Sequence, residues 1–262
     1  MTSSIHPSAI VETVDLGAGC TVREFASLDA RVSLAENVTV GPGARLLGAA
    51  RLGRDVSIGA NATILAGVTV GRGAVVEPGS VVESNVPAHS VVRGSPARIV
   101  GYRDTLPMPV DSELVERARL DAPTETRVPG VLLQPLTHAR DLRGSLAAIE
   151  FSDLPFVPQR VFAIYDVPNE SVRGAHAHRA CAQVIVCMSG EISCVADNGS
   201  VRQGFRLTSP TVGLYIPPMI WSMQYQYSRD AAIIVVAELP YDADDYIRDY
   251  EAFLELVARD RG

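Results

Sequence analysis

Two histidines two residues apart, His176 and His178, lie in the stretch Arg173-Gly-Ala-His-Ala-His-Arg-Ala-Cys-Ala-Gln-Val-Ile-Val-Cys-Met-Ser-Gly190. Imidazole titrates near neutrality, so such a pair can give and take protons at physiological pH or ligate a metal ion. In an extended strand alternate side chains share a face, which points both rings the same way. The next run, Gln183 to Cys187, is apolar and β-branched and ends at Ser189-Gly190. It pairs naturally with Glu191 to Ala196 ahead of a turn at Asp197-Asn198-Gly199. The expectation is a β-sheet or barrel with two histidines aimed at one cavity.

This H-x-H, followed by a hydrophobic strand and a glycine, resembles the first cupin motif. A second cupin-like segment follows at Gly213-Leu-Tyr-Ile-Pro-Pro-Met-Ile-Trp-Ser222. In metal-binding cupins a glutamate and a third histidine complete the ligand set, and here Gln183 and Ser222 occupy those places. An amide and a hydroxyl are weak ligands for a divalent transition metal, so a metal-free site doing proton chemistry is expected.

The resemblance narrows further. Asp141-Leu-Arg-Gly-Ser-Leu146, Arg160-Val-Phe-Ala-Ile-Tyr-Asp-Val-Pro168, Arg173 to His178, Ile216-Pro-Pro-Met-Ile-Trp221 and Asp242-Ala-Asp-Asp-Tyr-Ile-Arg-Asp-Tyr250 occur in one order. The series is similar to the nucleotide-sugar 3,4-ketoisomerases that act on dTDP-4-keto-6-deoxyglucose, over roughly residues 129–257. That family takes a proton from the carbon beside a ketone and returns one to the former carbonyl carbon through an enediol(ate). A base of near-neutral pKa within reach of both carbons is required, and histidine supplies it without a metal. The resemblance implies His178 as the carbon base and His176 as its partner for oxygen protons; from the residues alone either ring can take either part. Tyr165, on the strand before the hairpin, can donate to the developing enolate oxygen. Arg143, Arg160 and Arg173 are candidates for the diphosphate, since a guanidinium fork suits phosphate oxygens. Gln183 suits a sugar hydroxyl.

These groups need a scaffold. Val131 to Leu136, Gly144 to Glu150 and Gln159 to Asp166 read as strands that lead into the H-x-H hairpin, and four further runs to Ala237 complete a barrel-like set. Tyr241 to Arg259, with apolar spacing at Phe253, Leu254 and Val257, is expected to be a terminal helix outside the sheet.

The first half follows another rule. From Ile10 through Leu16 and Val22 to Val82, an aliphatic residue recurs at every sixth position, thirteen times, with a small or β-branched residue two places before nearly every one. This is the hexapeptide repeat of a parallel β-helix, left-handed in this class, three hexads to a triangular coil. Its ending, Val86 to Gly101 with Gly94-Ser-Pro-Ala-Arg98, resembles that of hexapeptide acyltransferases that use acyl-CoA. Those enzymes commonly place a histidine on the helix body as general base, and between Ile10 and Val86 this chain has none. A trimerising scaffold is therefore expected, with a bifunctional isomerase and acetyl-CoA-dependent sugar N-acetyltransferase as one alternative and a non-catalytic nucleotide-sugar-binding scaffold as another.

The expected fold class is all-β: a β-helix over residues 1–103, a linker over 104–129 with a short helix from Asp111 to Leu120, and a cupin or jelly-roll barrel over 130–262. A threefold prism joined to a dimeric barrel closes most simply as a hexamer. The net charge of −7 argues against a nucleic-acid or anionic-membrane partner. The opening residues Met-Thr-Ser-Ser-Ile-His carry no basic, apolar leader, and no run approaches the ~20 apolar residues of a membrane span, so a cytoplasmic location is expected. The four cysteines have no C-x-x-C spacing, consistent with buried reduced thiols.

Overall fold

A six-residue period leaves only two residues for each strand once a tight turn has taken its share. The computed structural model, which describes residues 2–110, 122–168 and 172–260, builds its first unit on that rule. The chain divides into two compact units, Met1–Asp104 and Thr105–Gly262.

In the first unit, strands such as Thr21–Val22, Ser27–Leu28 and Ser33–Leu34 belong to three parallel ladders, one to each side of a prism. Through the body of the prism each strand pairs with the residues eighteen positions on, as in Val22 opposite Val40 and Leu28 opposite Leu46. The second residue of each of these strands points inward, and Leu28, Leu46 and Ile64 have no exposed surface. Left-handed turn conformations fall on Asn37, Asp55 and Asn61, residue types that tolerate positive φ. Gly43 (φ +65°) takes the same conformation without a Cβ, which would otherwise lie 2.4 Å from the Asn61 side-chain oxygen of the next coil.

The opening of the repeat departs from the sixfold count. Val11, not Ile10, lies opposite Leu28, and Ile10 is 63% exposed. The Thr13 hydroxyl donates to Val32 O at 2.6 Å and closes the turn one residue early, leaving Val14 almost fully exposed. The strict count begins at Leu16, which bridges Leu34. At the other end Ser90–Gly94 folds back antiparallel on Ala97–Tyr102 and closes the stack.

The second unit consists mainly of two six-stranded sheets. One runs Met108–Val110, Arg202–Leu207, Ile192–Asp197, Trp221–Tyr225, Arg173–His178, Tyr246–Ile247. The other runs Thr124–Glu125, Leu132–Pro135, Val212–Ile216, Gln183–Ser189, Ala232–Ala237, Arg160–Tyr165. Ile185, Ile192, Phe205, Leu207 and Leu214 fill the space between them. This is the cupin-like barrel. The hairpin of Thr137–Asp141 and Gly144–Ala148 forms a two-stranded sheet of its own.

Two stretches differ from expectation. In the segment taken as a linker, Met108–Val110 pairs with Arg202–Leu207 and Thr124–Glu125 pairs with Leu132–Pro135, while Val110 and Val128 are buried. The helix expected from Asp111 to Leu120 lies outside the described residues. The terminal helix is shorter than expected, Tyr250–Asp260, because Ala243–Asp245 forms a 3-10 turn and Tyr246–Ile247 a strand. Phe253 and Val257 bury its inner face, and the Tyr250 hydroxyl donates to the buried Asp197 carboxylate at 2.7 Å. All four cysteines are buried free thiols. Among the described residues no helix is long and apolar enough to cross a membrane.

Candidate active site

The strand Arg173–His178 carries the histidines between two neighbours, Trp221–Tyr225 on one side and Tyr246–Ile247 on the other. Its pairing shifts register between Gly174 and His176, where Gly174 (φ +76°) and Ala175 (φ +51°) form a bulge. A side chain at Gly174 would meet Ser222 O at 2.9 Å, so the bulge depends on glycine. Beyond it the two-residue alternation resumes, and the His176 and His178 rings meet edge to face with centroids 4.9 Å apart. Both also touch the Tyr246 ring, at 4.7 and 4.4 Å.

The rings sit in different hydrogen-bonding environments. His176 Nδ1 lies 2.9 Å from the Gly174 carbonyl, which can only accept, so Nδ1 carries a proton and Nε2 is left as the lone pair. Burial brings the His176 pKa down to about 4, the carbonyl bond offsetting only part of the cost of charging it. His178 Nδ1 lies 2.6 Å from Asp245 Oδ2, and its Nε2 lies 3.1 Å from the Gln183 amide nitrogen. Burial lowers the His178 pKa as well, against the upward pull of Asp245. Burial alone would raise the Asp245 carboxyl; bonds from His178 and from the N–H groups of Ala180 and Cys181 outweigh it and hold it below its ordinary value. Both rings are thus neutral at pH 7, as proton acceptors must be.

A pocket of about 150 Å³ opens in front of them, its polar walls formed by Arg160, Arg173, His176, Gln183, Ser222 and Gln224 and its apolar walls including Phe162, Ile164 and Tyr246. His176 faces Ser222 directly across the strand pair. His178 stands behind the Gln183 amide, which does line the pocket. The Arg160 guanidinium lies over the Phe162 ring at 4.3 Å and within 5.2 Å of the Tyr241 ring centre, which holds its fork in place.

His178, Cys181 and Asp245 each place a potential ligand atom within 4.8 Å of the others. The Asp245 oxygens already accept from His178 Nδ1 and from Ala180 N–H at 2.7 Å, and burial raises the Cys181 thiol pKa. The carboxylate is thus committed to His178 and Ala180, and the Cys181 thiol donates to the Ala182 carbonyl.

The structure brings His176, His178, Arg160, Arg173 and Gln183 together. It does not bring in two other candidates. Tyr165 is 65% exposed, because along Arg160–Tyr165 the residues Arg160, Phe162 and Ile164 face the pocket and alternation turns Tyr165 to the opposite face. Arg143 sits at the tip of the lone hairpin, ion-paired with Asp141 at 2.6 Å, and is not part of the pocket wall. Sequence reasoning missed Asp245 and Tyr246. The signal was present in Asp242-Ala-Asp-Asp-Tyr-Ile-Arg-Asp-Tyr250, but as part of a presumed helix it carried no contact 67 residues back to His178.

A barrel of paired sheets holding two neutral histidines edge to face beside two arginines is a cupin-type site suited to proton transfer. Residues 130–258 match the family described as WxcM-like, C-terminal, and residues 49–84 match the bacterial transferase hexapeptide repeat. The TDP-4-oxo-6-deoxy-alpha-D-glucose-3,4-oxoisomerase of Aneurinibacillus thermoaerophilus is 42% identical over 120 residues, 45% of this chain and 86% of that protein. The crystal structure of QdtA, a sugar 3,4-ketoisomerase from Thermoanaerobacterium thermosaccharolyticum in complex with TDP, matches with a TM-score of 0.50 at 30% identity, over 51% of this chain and 98% of that one. The chain belongs, through its second unit, to this WxcM-like family of sugar 3,4-ketoisomerases, and it is an isomerase.

Proposed function

We propose that the second unit converts TDP-4-keto-6-deoxyglucose to a TDP-3-keto-6-deoxyhexose. The observation that carries this is the pair of neutral histidines, bonded differently, at one pocket that also presents two guanidinium groups. Arg160 and Arg173 hold the diphosphate. The Gln183 amide turns from His178 to a sugar hydroxyl, which opens the His178 Nε2 lone pair to the ring. His178 takes the proton from C3, and the electron pair moves onto the C4 carbonyl oxygen to give an enediolate. His176, across from the Ser222 hydroxyl, carries a proton from the C3 oxygen to the C4 oxygen. His178, whose proton exchanges with solvent while the enediolate lasts, then delivers a proton to C4 and forms the C3 ketone, and no atom is gained or lost. The reaction calls for no metal, in keeping with a donor set whose carboxylate is already committed. Incubation in deuterated water with NMR readout tests this: deuterium entering at C4 of a 3-keto product is expected, and recovery of unchanged 4-keto sugar overturns it.

The hairpin carrying Leu142 and Leu146 supports a dimer of the second unit. Both leucines are exposed, and a lone two-stranded hairpin is marginal in water until another sheet covers it. A second copy supplies that cover and also takes the outward face of Arg160–Tyr165, where Val161 and Tyr165 are bare. The first unit serves assembly, threefold by its prism, giving a hexamer. Its two histidines favour that role over acetyl-CoA chemistry. The His89 backbone N–H donates to Arg72 O at 2.7 Å while its ring lies against Tyr102, with centroids 6.1 Å apart, and the His6 ring pairs with Ser8 ahead of the repeat.

A further inference from the structure

The residues from Tyr241 to Arg248 form a strap along one edge of the H-x-H strand. Tyr246–Ile247 pairs with Ala177 and His178, and Asp245 O accepts from Arg179 N–H at 2.9 Å. The Asp242 carboxylate caps the turn before it by accepting from Asp244 N–H. The strap touches the site's working groups with separate side chains: Tyr241 lies against Arg160, Tyr246 against both imidazoles, and Asp245 against His178 alone of the two. Arg248 in turn lies over the Tyr246 ring at 4.3 Å.

We infer that Asp245 is the positioning residue of this isomerase, fixing His178 as the Nδ1–H tautomer so that Nε2 keeps the lone pair facing the pocket wall. The inference rests on the reading of His178 as carbon base. Its geometry is fixed from both sides. Oδ2 meets His178 Nδ1 at 2.6 Å while Oδ1 accepts from Ala180 N–H at 2.7 Å, so the carboxylate cannot turn without leaving that amide unpaired. On the far side of the ring the Gln183 amide nitrogen stands 3.1 Å from Nε2, a donor facing an acceptor, as the Nδ1–H tautomer requires. His178 and Asp245 side chains are each only 10% exposed, so water does not compete for either bond. His176 has no such carboxylate; a carbonyl sets its tautomer. Through Asp245 the strap therefore sets the tautomer of one histidine and not of the other.

Asp245→Asn separates a positioning role from simple packing. Ala180 N–H demands an acceptor, so the Asn oxygen stays there and its NH₂ turns to His178 Nδ1. That forces the proton onto Nε2, where it faces Gln183 and the base is lost. Long-range ¹H–¹⁵N spectra of the full-length protein labelled at histidine, with His178 assigned by its absence in His178→Asn, should show Nδ1 protonated in the wild type and Nε2 protonated in Asp245→Asn. Turnover in Asp245→Asn should fall by about a hundredfold or more, as expected when an amide behind a catalytic imidazole selects the wrong tautomer. KM and the affinity for TDP itself should change by less than about threefold. In the double variant Asp245→Asn/His178→Asn, no loss beyond that of His178→Asn is expected. A wild-type His178 protonated on Nε2, turnover within about threefold in a folded Asp245→Asn, or an added loss in the double variant would each overturn the inference. If His178→Asn is itself fully active, the base assignment falls, and the spectra still decide the tautomer. If Asp245→Asn does not fold, the wild-type spectrum decides alone.

Discussion

The two units bury their cores by opposite means. In the prism one short rule repeats: the second residue of each two-residue strand goes inward, and neighbours in space stand eighteen residues apart in sequence. In the barrel, neighbours come from anywhere. Asp245 reaches His178 across 67 positions, and Arg127 N–H reaches the Gln203 side chain across 76. A periodic core is specified by counting and offers the same environment at every coil. An aperiodic core places unlike groups together, and chemistry requires unlike groups together: two imidazoles, a carboxylate, an amide and two guanidinium groups meet in the second unit.

The sharpest way to break this contrast is at the imidazoles. His178→Asn should lower isomerisation by roughly two to four powers of ten, the scale of general-base catalysis, with TDP affinity retained. Steady-state kinetics alongside calorimetric titration of TDP checks both halves of the statement. Wild-type turnover in this variant would move the chemistry elsewhere.

The legibility of each unit followed from the same contrast. The hexad could be counted from Leu16 to Val82, and it failed only where the Thr13 hydroxyl took over a backbone bond that the pattern does not encode. In the barrel, His176 and His178 were legible because their relation is local, two residues along one strand. Arg160, Arg173 and Gln183 were chosen for what a guanidinium or an amide can hold, and they reach one pocket. Tyr165 was misplaced by a single step of alternation, which proximity in sequence cannot resolve. Asp245 and Tyr246 went unread because their tail looked helical, and strand pairing with Ala177 and His178 is a long-range event.

A cut between the units tests whether the barrel stands without the prism. A chain beginning at Thr105 should keep its turnover and fall from hexamer to dimer by light scattering. A chain beginning at Gly130 loses Met108–Val110 from one sheet and the buried Val110 and Val128 from the core. At ~1.5–3 kcal/mol for each buried valine, it should be less stable by about 3 kcal/mol or more. Equal denaturation midpoints for the two fragments would show that 105–129 is a linker after all. A folded but inactive Thr105 fragment would show that the prism contributes to the site.

The smallest effect lies in the difference between buried and solvated histidine. His176 titrates near 4 in the folded chain because burial opposes its charge, and near 6.5 once unfolded. Between those values the unfolded chain binds more protons than the folded one, so stability rises with pH across that window. This contribution is complete above about pH 6.5 and is lost as pH falls toward about 4. At ~1.4 kcal/mol per unit, acidification from pH 6.5 to pH 5 should cost roughly 2 kcal/mol through this one group. His178, also lowered by burial, acts in the same direction. Thermal unfolding at pH 7.5 and pH 5 should therefore show a larger drop for the wild type than for His176→Asn, which removes one of the two titrating rings. The core of the prism, by contrast, is almost wholly aliphatic. Equal slopes for wild type and His176→Asn would mean that the ring is solvated in solution, and the contrast between the two cores would then have to be drawn without it.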